Sequence, residues 1–252
     1  MHKTVRLCGL GLLTMSAWAA SADTDLTTTA QVSIVLIGDS YLIGHGVAAG
    51  QKFKDRLQSM LNAKGLTIAI IETGFNGTSA STDARLGSFF TVPKYFPLAA
   101  NPVVILEVGS NDCKVMGIDK TRANLSHILA TFSDKRIPVL IVGTSAYDDC
   151  EGAANPNYKA EYVRVFSDLA DQYGDLYYRD FKDSVSDHPE LLQYDGDHPN
   201  AQGEAIIVAK MLPVVQELIA RATPPQAHNI DRGSLLLSAV LNQTLISSHL
   251  TP

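Results

Sequence analysis

The 252-residue sequence is poor in cysteine, in clustered basic residues and in long apolar segments, and each shortage excludes a class of protein. Lysine and arginine number 20 against 26 acidic residues, and no basic cluster with interleaved aromatics is present, so we expect no nucleic-acid partner. The histidines and the three cysteines lack metal-ligand spacing, and no Gly-Lys-Ser/Thr phosphate loop is present. The sequence therefore predicts no metal or other cofactor. After residue 22, no apolar segment is long enough for a stable membrane span.

The first 22 residues have the composition of a secretory signal peptide. Residues 2–6 are basic, residues 7–18 are mostly apolar, and residues 20–22 are the small residues of a cleavage site. We expect the mature chain to begin at Asp23 and the protein to be periplasmic or secreted. The alternative is an uncleaved anchor helix, for which the apolar stretch is short.

Cleavage would remove Cys8 and leave two cysteines, Cys113 and Cys150. An exported chain with one cysteine pair favours a disulfide, and two free buried thiols are the alternative. Such a bond would close a loop of about 37 residues and contribute up to about 3–4 kcal/mol in the chain-entropy model.

The rest of the chain alternates between strand and helix patterns. With 46% hydrophobic and 18% charged residues, the composition is that of a globular protein. Short apolar runs predict five strands, at residues 32–37, 66–71, 103–108, 137–142 and, more weakly, 175–178. Helical spacing occupies the gaps, at residues 51–63, 120–133, 157–173 and 201–221. This alternation predicts an α/β domain over residues 23–221, with three α/β/α layers and a mostly parallel five-stranded sheet.

A different pattern follows the predicted domain. Pro224-Pro225 interrupts the chain, and the apolar residues of the 222–252 extension then follow the spacing of a short amphipathic helix. We expect this helix to pack on the domain's own surface. Contact with a partner or a membrane is the alternative.

Ligands of parallel α/β sheets bind at the carboxyl ends of the strands, so the segments that follow the apolar runs are the candidate site. Ser40 follows the first strand, and a serine hydroxyl becomes a nucleophile when a neighbouring base takes its proton. His198 is the candidate base, and Asp195 the carboxylate that holds its other ring nitrogen. Asp197 competes for that role, although an adjacent residue rarely reaches back to the ring. Pro199 keeps His198 out of the α region and is expected at the N1 position of the next helix.

An acyl-transfer site also needs donors for the negative oxygen of its tetrahedral intermediate. Three candidates are present at the predicted strand ends: the N–H groups of Ser40 and Gly77 and the side-chain amide of Asn111. Asp39 is expected to hydrogen-bond the turn that presents Ser40 rather than to act as a base. His45 is interpreted as a loop residue.

Four blocks in this order resemble the SGNH hydrolase superfamily, also called GDSL esterases. They are Gly38-Asp39-Ser40, the glycine at 77, Gly109-Ser110-Asn111-Asp112, and Asp195 to His198 followed by Pro-Asn. Gly74 is the alternative for the second block, and Tyr41 stands where the family usually has leucine. The resemblance spans residues 32–220 and is greatest to small periplasmic thioesterases, arylesterases and lysophospholipases. It implies a flavodoxin-like fold and a metal-free serine mechanism.

The resemblance and the residues together predict an exported serine hydrolase that cleaves short to medium acyl esters or thioesters, lipids included, through an acyl-enzyme. A carbohydrate O-acetylesterase of the same fold is one alternative, and a non-catalytic binding module is another. The strand count also places Cys113 and Cys150 in loops at the edge that carries the site. We hypothesise that a disulfide there holds the Asn111 loop in place.

Overall fold

A single five-stranded sheet forms the centre of the protein. The computed structural model describes residues 32–80, 101–150, 152 and 154–222. Its strands are β1 (Val32–Gly38), β2 (Ile68–Glu72), β3 (Pro102–Glu107), β4 (Val139–Val142) and β5 (Leu176–Tyr178). They lie in the order β2-β1-β3-β4-β5, and every adjacent pair is parallel. The sheet, predicted as mostly parallel, is therefore wholly parallel over the described residues.

Helices cover both faces of this sheet and give the three layers predicted. They are α1 (Phe53–Ala63), α2 (Gly117–Asp134), α3 (Tyr158–Tyr173) and α4 (Ala201–Ala222). The side chains of α1 and α4 share one hydrophobic core with one face of the sheet, and those of α2 and α3 share a second core with the other face.

Strand β1 shows why the strands are continuously apolar in sequence. Its side chains alternate, so that Ile34 and Leu36 enter the core beneath α1 and α4, while Val35 and Ile37 enter the core beneath α2 and α3. A strand that is buried on both faces has no solvent-exposed face, so its sequence does not alternate between apolar and polar residues. Each such side chain contributes about 1.5–3 kcal/mol when fully buried.

The strand order creates a crevice above β1 and β3. From β1 the chain moves to β2 on one side, and it later returns to β3 on the other. The loops that leave β1 and β3 therefore diverge, which is the topological switch point where α/β proteins bind ligands. Ser40 follows β1 and Asn111 follows β3, so both reach this crevice.

Helix α4 begins at Ala201, three positions after His198, where the helical spacing of residues 201–221 predicts it. The side chain of Asn200 accepts hydrogen bonds from the N–H groups of Gln202 and Gly203 at 2.9 and 3.1 Å, so Asn200 caps the helix. The expectation that Pro199 occupies the N1 position was wrong. Pro199 instead lies before the cap and pairs in an isolated bridge with Leu192.

Two predicted segments lie outside the described residues: the signal peptide at 1–22 and the extension after Ala222. Among the helices that the structure does describe, none combines the length and the apolarity needed to cross a bilayer.

Candidate active site

The turn after β1 presents Ser40 at the carboxyl edge of the sheet. Gly38 packs so closely that a Cβ there would lie 2.6 Å from Leu42 and 2.9 Å from the Glu107 carbonyl, which only glycine tolerates. The carboxylate of Asp39 then accepts a hydrogen bond from the Tyr41 N–H at 3.0 Å and closes a tight turn around Ser40. Asp39 thus has the turn-stabilising position expected of it, and Ser40 stays partly exposed.

The loop before α4 carries His198 to Ser40. Nε2 of His198 lies 2.9 Å from Oγ of Ser40, and Nδ1 lies 2.7 Å from Oδ2 of Asp195. Oδ1 of Asp195 also accepts the N–H groups of Asp197 and His198, each at 3.0 Å. Serine, histidine and aspartate therefore form one hydrogen-bonded chain, although 158 positions separate Ser40 from His198.

The electrostatics of Asp195 suit an orienting carboxylate. Burial raises its pKa, but the hydrogen bonds from the Asp197 N–H and from His198 outweigh this and hold the pKa at about 2. The carboxyl is therefore ionised at neutral pH and accepts a hydrogen bond from Nδ1–H of His198. This hydrogen bond fixes the imidazole with Nε2 free to accept the serine proton.

Asp197, the competing carboxylate, faces away from the imidazole of His198. It accepts hydrogen bonds from Lys182 and from the hydroxyl groups of Tyr41 and Tyr147, the latter two at 2.7 and 3.2 Å. The rings of Tyr41 and His45 flank His198, with centroids 5.1 and 5.2 Å from its ring. His45, interpreted as a loop residue, thus lies against the predicted base.

The candidate oxyanion donors lie on two loops that Asn111 joins. Its amide nitrogen donates to the carbonyl of Thr78 at 3.0 Å and to Asp39 Oδ2 at 3.2 Å, and Ser110 Oγ lies 3.2 Å away. Gly77 precedes Thr78 and has φ of +70°, a conformation that favours glycine. Among the described residues, the N–H groups of Ser40 and Gly77 donate to no acceptor. Two unpaired donors therefore lie on the loops of the site.

Gly74, the alternative glycine, serves packing instead. A Cβ at that position would lie 2.5 Å from Ile43 and 2.7 Å from the Gly38 carbonyl oxygen. This close approach lets the end of β2 lie against the nucleophile turn. The contacts thus give Gly74 a packing role, whereas Gly77 directly precedes Thr78, whose carbonyl accepts the Asn111 amide.

Sequence reasoning missed the buried carboxyl groups beneath the site. Glu107, the last residue of β3, is fully buried, and burial followed by the charge of Asp39 raises its pKa well above the usual range. This shift favours the neutral form of the Glu107 carboxyl, whose Oε2 accepts a hydrogen bond from the Asp39 N–H at 3.3 Å. A single charged residue at the end of the apolar run 103–106 is the sequence feature that marked this position.

Asp112 fixes the two oxyanion loops to each other. It is buried, and its Oδ1 accepts the N–H of Ala80 at 2.8 Å. Burial raises its pKa to about 7, against the lowering effect of this hydrogen bond. The bond to Ala80 links the loop of Asn111 to the loop of Gly77.

The two cysteines join the site to the loop after β4. Cys113 and Cys150 form a disulfide in the structure, and Cys113 lies two residues after Asn111. The N–H of Tyr147 lies 3.0 Å from Cys150 Sγ, which places Tyr147 within the segment that the disulfide anchors. In the described ranges, no group of three or more His, Cys, Asp or Glu side chains is arranged to hold a metal ion.

Comparison with known proteins places this geometry in a family. The model of the GDSL-like Lipase/Acylhydrolase family matches residues 36–206, a span that includes all the site residues from Ser40 to His198. Because the match covers more than half of the chain, the protein belongs to this family.

Individual relatives agree with that assignment. The curated Esterase TesA of Pseudomonas aeruginosa is 24% identical over 193 residues, which cover 74% of this chain and 89% of TesA. The structure of the psychrotrophic esterase EstA from Pseudoalteromonas sp. has a TM-score of 0.65 and 18% identity, and it covers 74% of this chain and 97% of EstA. AlinE4, an SGNH-hydrolase family esterase, has a TM-score of 0.58 and 28% identity, with coverages of 77% and 97%. The predicted fold and family resemblance are confirmed, and the protein is a serine ester hydrolase.

Proposed function

We propose that the protein is an exported esterase that cleaves short to medium acyl esters or thioesters through an acyl-enzyme formed on Ser40. The observation that carries this proposal is the hydrogen-bonded chain from Ser40 Oγ through His198 to Asp195, with contacts of 2.9 and 2.7 Å. Each contact lies within the reach that proton transfer needs.

In the acylation step, Oγ of Ser40 attacks the acyl carbonyl carbon while Nε2 of His198 takes the hydroxyl proton. The imidazolium that forms is stabilised by the ionised Asp195. When the tetrahedral intermediate collapses, the bond to the alcohol or thiol breaks, and His198 gives its proton to that leaving group. The acyl group remains on Ser40 as an ester.

In the second step, water replaces the leaving group. His198 takes a proton from the water as the water oxygen attacks the acyl carbon. The bond between this carbon and Oγ of Ser40 then breaks, His198 gives the proton to Oγ, and the carboxylic acid is released. In both steps the N–H groups of Ser40 and Gly77 hold the negative oxygen. The amide of Asn111 joins them when it exchanges its hydrogen bond to Thr78 or Asp39 for one to the substrate oxygen. Loss of one such donor costs about 3 kcal/mol of transition-state stabilisation.

Exposed apolar side chains support an acyl substrate. The described residues include three large exposed hydrophobics, Phe75, Val115 and Tyr194, with exposures of 47%, 65% and 108%. Phe75 lies two residues before Gly77, Val115 four residues after Asn111, and Tyr194 next to Asp195. Apolar side chains on all three loops of the site suit a substrate with an apolar arm.

Export is supported by the N-terminal pattern and by the disulfide, since disulfides persist in oxidising compartments. Expression of the full chain with a C-terminal tag, followed by cell fractionation and N-terminal sequencing, tests this part. We expect periplasmic or secreted protein beginning at Asp23. Uncleaved protein in the cytoplasm would contradict export and leave the chemistry unaffected.

A chain-length series tests the substrate class. We expect p-nitrophenyl esters from acetyl to octanoyl to be hydrolysed, with kcat/KM highest above acetyl, and Ser40→Ala to supply the background rate. Activity confined to acetyl esters, with acetylated sugars preferred, would instead identify a carbohydrate O-acetylesterase. No activity above the Ser40→Ala background on any ester or thioester would identify a binding module.

A further inference from the structure

Four polar side chains, Asp197, Tyr41, Tyr147 and Lys182, form a cluster beside His198 that we call the Asp197 cluster. Lys182 donates to Oδ1 of Asp197, and the hydroxyl groups of Tyr41 and Tyr147 donate to Oδ2 at 2.7 and 3.2 Å. Nζ of Lys182 also donates to the Tyr41 hydroxyl oxygen at 2.9 Å. Neither Tyr147 nor Lys182 stood out in the sequence.

The cluster is better shielded from water than an ordinary surface ion pair. Tyr41 is 2% exposed, and the side chains of Lys182 and Asp197 are 18% and 35% exposed. Burial is the largest influence that raises the pKa of Tyr41, so its hydroxyl stays protonated as a donor. Burial raises the pKa of Asp197 as well, but the hydrogen bonds from Lys182 and Tyr41 outweigh it and keep the carboxylate ionised. Such partly buried networks hold their members in one arrangement.

The hydrogen bonds of the cluster cross between the segments that carry the nucleophile and the base. Tyr41 follows Ser40 directly, and Asp197 precedes His198 directly. The Tyr41 hydroxyl therefore ties the serine turn to the histidine loop one residue away from the reacting groups. The Tyr41 ring also lies 5.1 Å from the imidazole of His198, centroid to centroid.

Tyr147 brings a third segment into the cluster. It lies on the loop that the Cys113–Cys150 disulfide anchors, and that disulfide continues to the loop of Asn111. Asp197 lies on the histidine loop, and its carboxylate binds Tyr41 of the serine turn. It also binds Tyr147, whose loop is joined by the disulfide to the segment that carries Asn111.

We propose that the Asp197 cluster positions His198 against Ser40, so that Tyr41, Tyr147, Lys182 and Asp197 are positioning residues for acyl transfer. None of the four touches the reacting atoms. They act by holding two loops at the separation that lets Nε2 take the Ser40 proton, and a misplacement of about 1 Å can cost about 100-fold in rate. This inference rests on the proposed function.

Hydroxyl deletions test the proposal with little loss of packing. We expect Tyr41→Phe and Tyr147→Phe to lower kcat on a p-nitrophenyl ester by about tenfold, with KM changed by less than about twofold. The rate at which a fluorophosphonate probe labels Ser40 should fall in parallel. Tyr173→Phe is the matched control, because the Tyr173 hydroxyl bonds Ser126 between α2 and α3, away from the site.

A double-mutant cycle supplies a readout that a merely stabilising role would not move. Because Tyr41→Phe removes the hydrogen bond that Asp197→Asn weakens, we expect their combined loss of kcat to be smaller than the product of the two single losses. Independent losses that multiply would contradict a shared contact.

The proposal is overturned if both phenylalanine variants match Tyr173→Phe in kcat and labelling rate, with melting temperatures confirming that all three are folded. That result in an active wild-type enzyme would leave the proposed function intact. A wild type with no Ser40-dependent hydrolysis would overturn the function itself, so the two failures are distinguishable.

Discussion

Nδ1 of His198 lies 2.7 Å from the carboxylate of Asp195. A second carboxylate, Asp197, is next to His198 in sequence, yet its oxygens face Lys182 and two tyrosine hydroxyls. The two aspartates therefore have separable roles. We propose that Asp195 orients the imidazole and that Asp197 holds the loop on which the imidazole lies.

This division predicts unequal effects of removing each charge. Asp195→Asn should lower kcat by about 10³–10⁴-fold, because an amide can stabilise the wrong imidazole tautomer and cannot stabilise the imidazolium. Asp197→Asn should lower kcat by only about tenfold, since it loosens the loop without touching the ring. Steady-state kinetics on one p-nitrophenyl ester measures both. Equal losses, or a larger loss for Asp197→Asn, would contradict the assignment.

Gly77 and Gly65 have nearly the same φ, so substitutions at the two positions distinguish an effect on stability from an effect on catalysis. Gly77 and Gly65 have φ of +70° and +74°, and neither would crowd an added Cβ. Alanine at either position should reduce the free energy of unfolding by about 1–2 kcal/mol, because both are left-handed. Only Gly77→Ala should also reduce kcat, since its Cβ and strained backbone disturb a candidate oxyanion donor. Chemical denaturation and kinetics on both variants check this prediction. Equal kcat values for Gly77→Ala and Gly65→Ala would exclude Gly77 from the site.

The disulfide should matter for stability and for turnover. The Cys113→Ser and Cys150→Ser double variant should lose up to about 3–4 kcal/mol of unfolding free energy, since the bond constrains a loop of about 37 residues in the unfolded chain. Its kcat should also fall, because Asn111 and Tyr147 both lie beside the bonded cysteines. Denaturation and activity of the variant, compared with wild type with and without reductant, measure both effects. A variant with unchanged turnover would remove the link to the oxyanion loop.

Glu204 predicts how stability depends on pH. It is fully buried in the first turn of α4, and neither carboxylate oxygen has a hydrogen-bond partner within the described ranges. Burial raises its pKa to about 8 from the usual 4.5, although Arg56 and Lys52 act to lower it. Between these values the folded state binds more protons than the unfolded state, so stability falls as pH rises from 4.5 to about 8 and then levels off.

Glu204→Gln should remove this loss, because glutamine carries no charge to bury. We expect the variant to be more stable than wild type by on the order of a few kcal/mol at pH 8 and similar to it at pH 4. Urea denaturation across this range tests the sign. Parallel stability curves for the two proteins would show that Glu204 does not set the slope.

Most of the fold and the hydrogen-bonded chain of the site could be predicted because they depend on local patterns. Apolar runs marked all five strands, although β2 begins at Ile68 rather than Leu66. Helix α4 was located correctly, but its cap was not, because Pro199 and Asn200 both suit a helix start and the choice depends on the loop before them.

The Asp197 cluster could not be predicted, because its partners are distant in sequence. The bond between Lys182 and Tyr41 spans 141 positions, and the contact between Tyr41 and Tyr147 spans 106. No periodicity links such residues, and they meet only once β1, β3, β4 and β5 have assembled into one sheet. In the sequence, Tyr41 differs from the leucine that the family usually has at this position, and no pattern connects it to Tyr147 or Lys182.

The central claim is that Ser40 is the nucleophile and His198 its base. The most direct test is to treat the protein with a fluorophosphonate probe and to locate the adduct by peptide mass spectrometry, with labelling rates for wild type, Ser40→Ala and His198→Ala. We expect one adduct, on Ser40, that is absent in Ser40→Ala and forms at least about 10³-fold more slowly in His198→Ala. An adduct on another residue, or wild-type labelling and ester hydrolysis in Ser40→Ala, would contradict the mechanism.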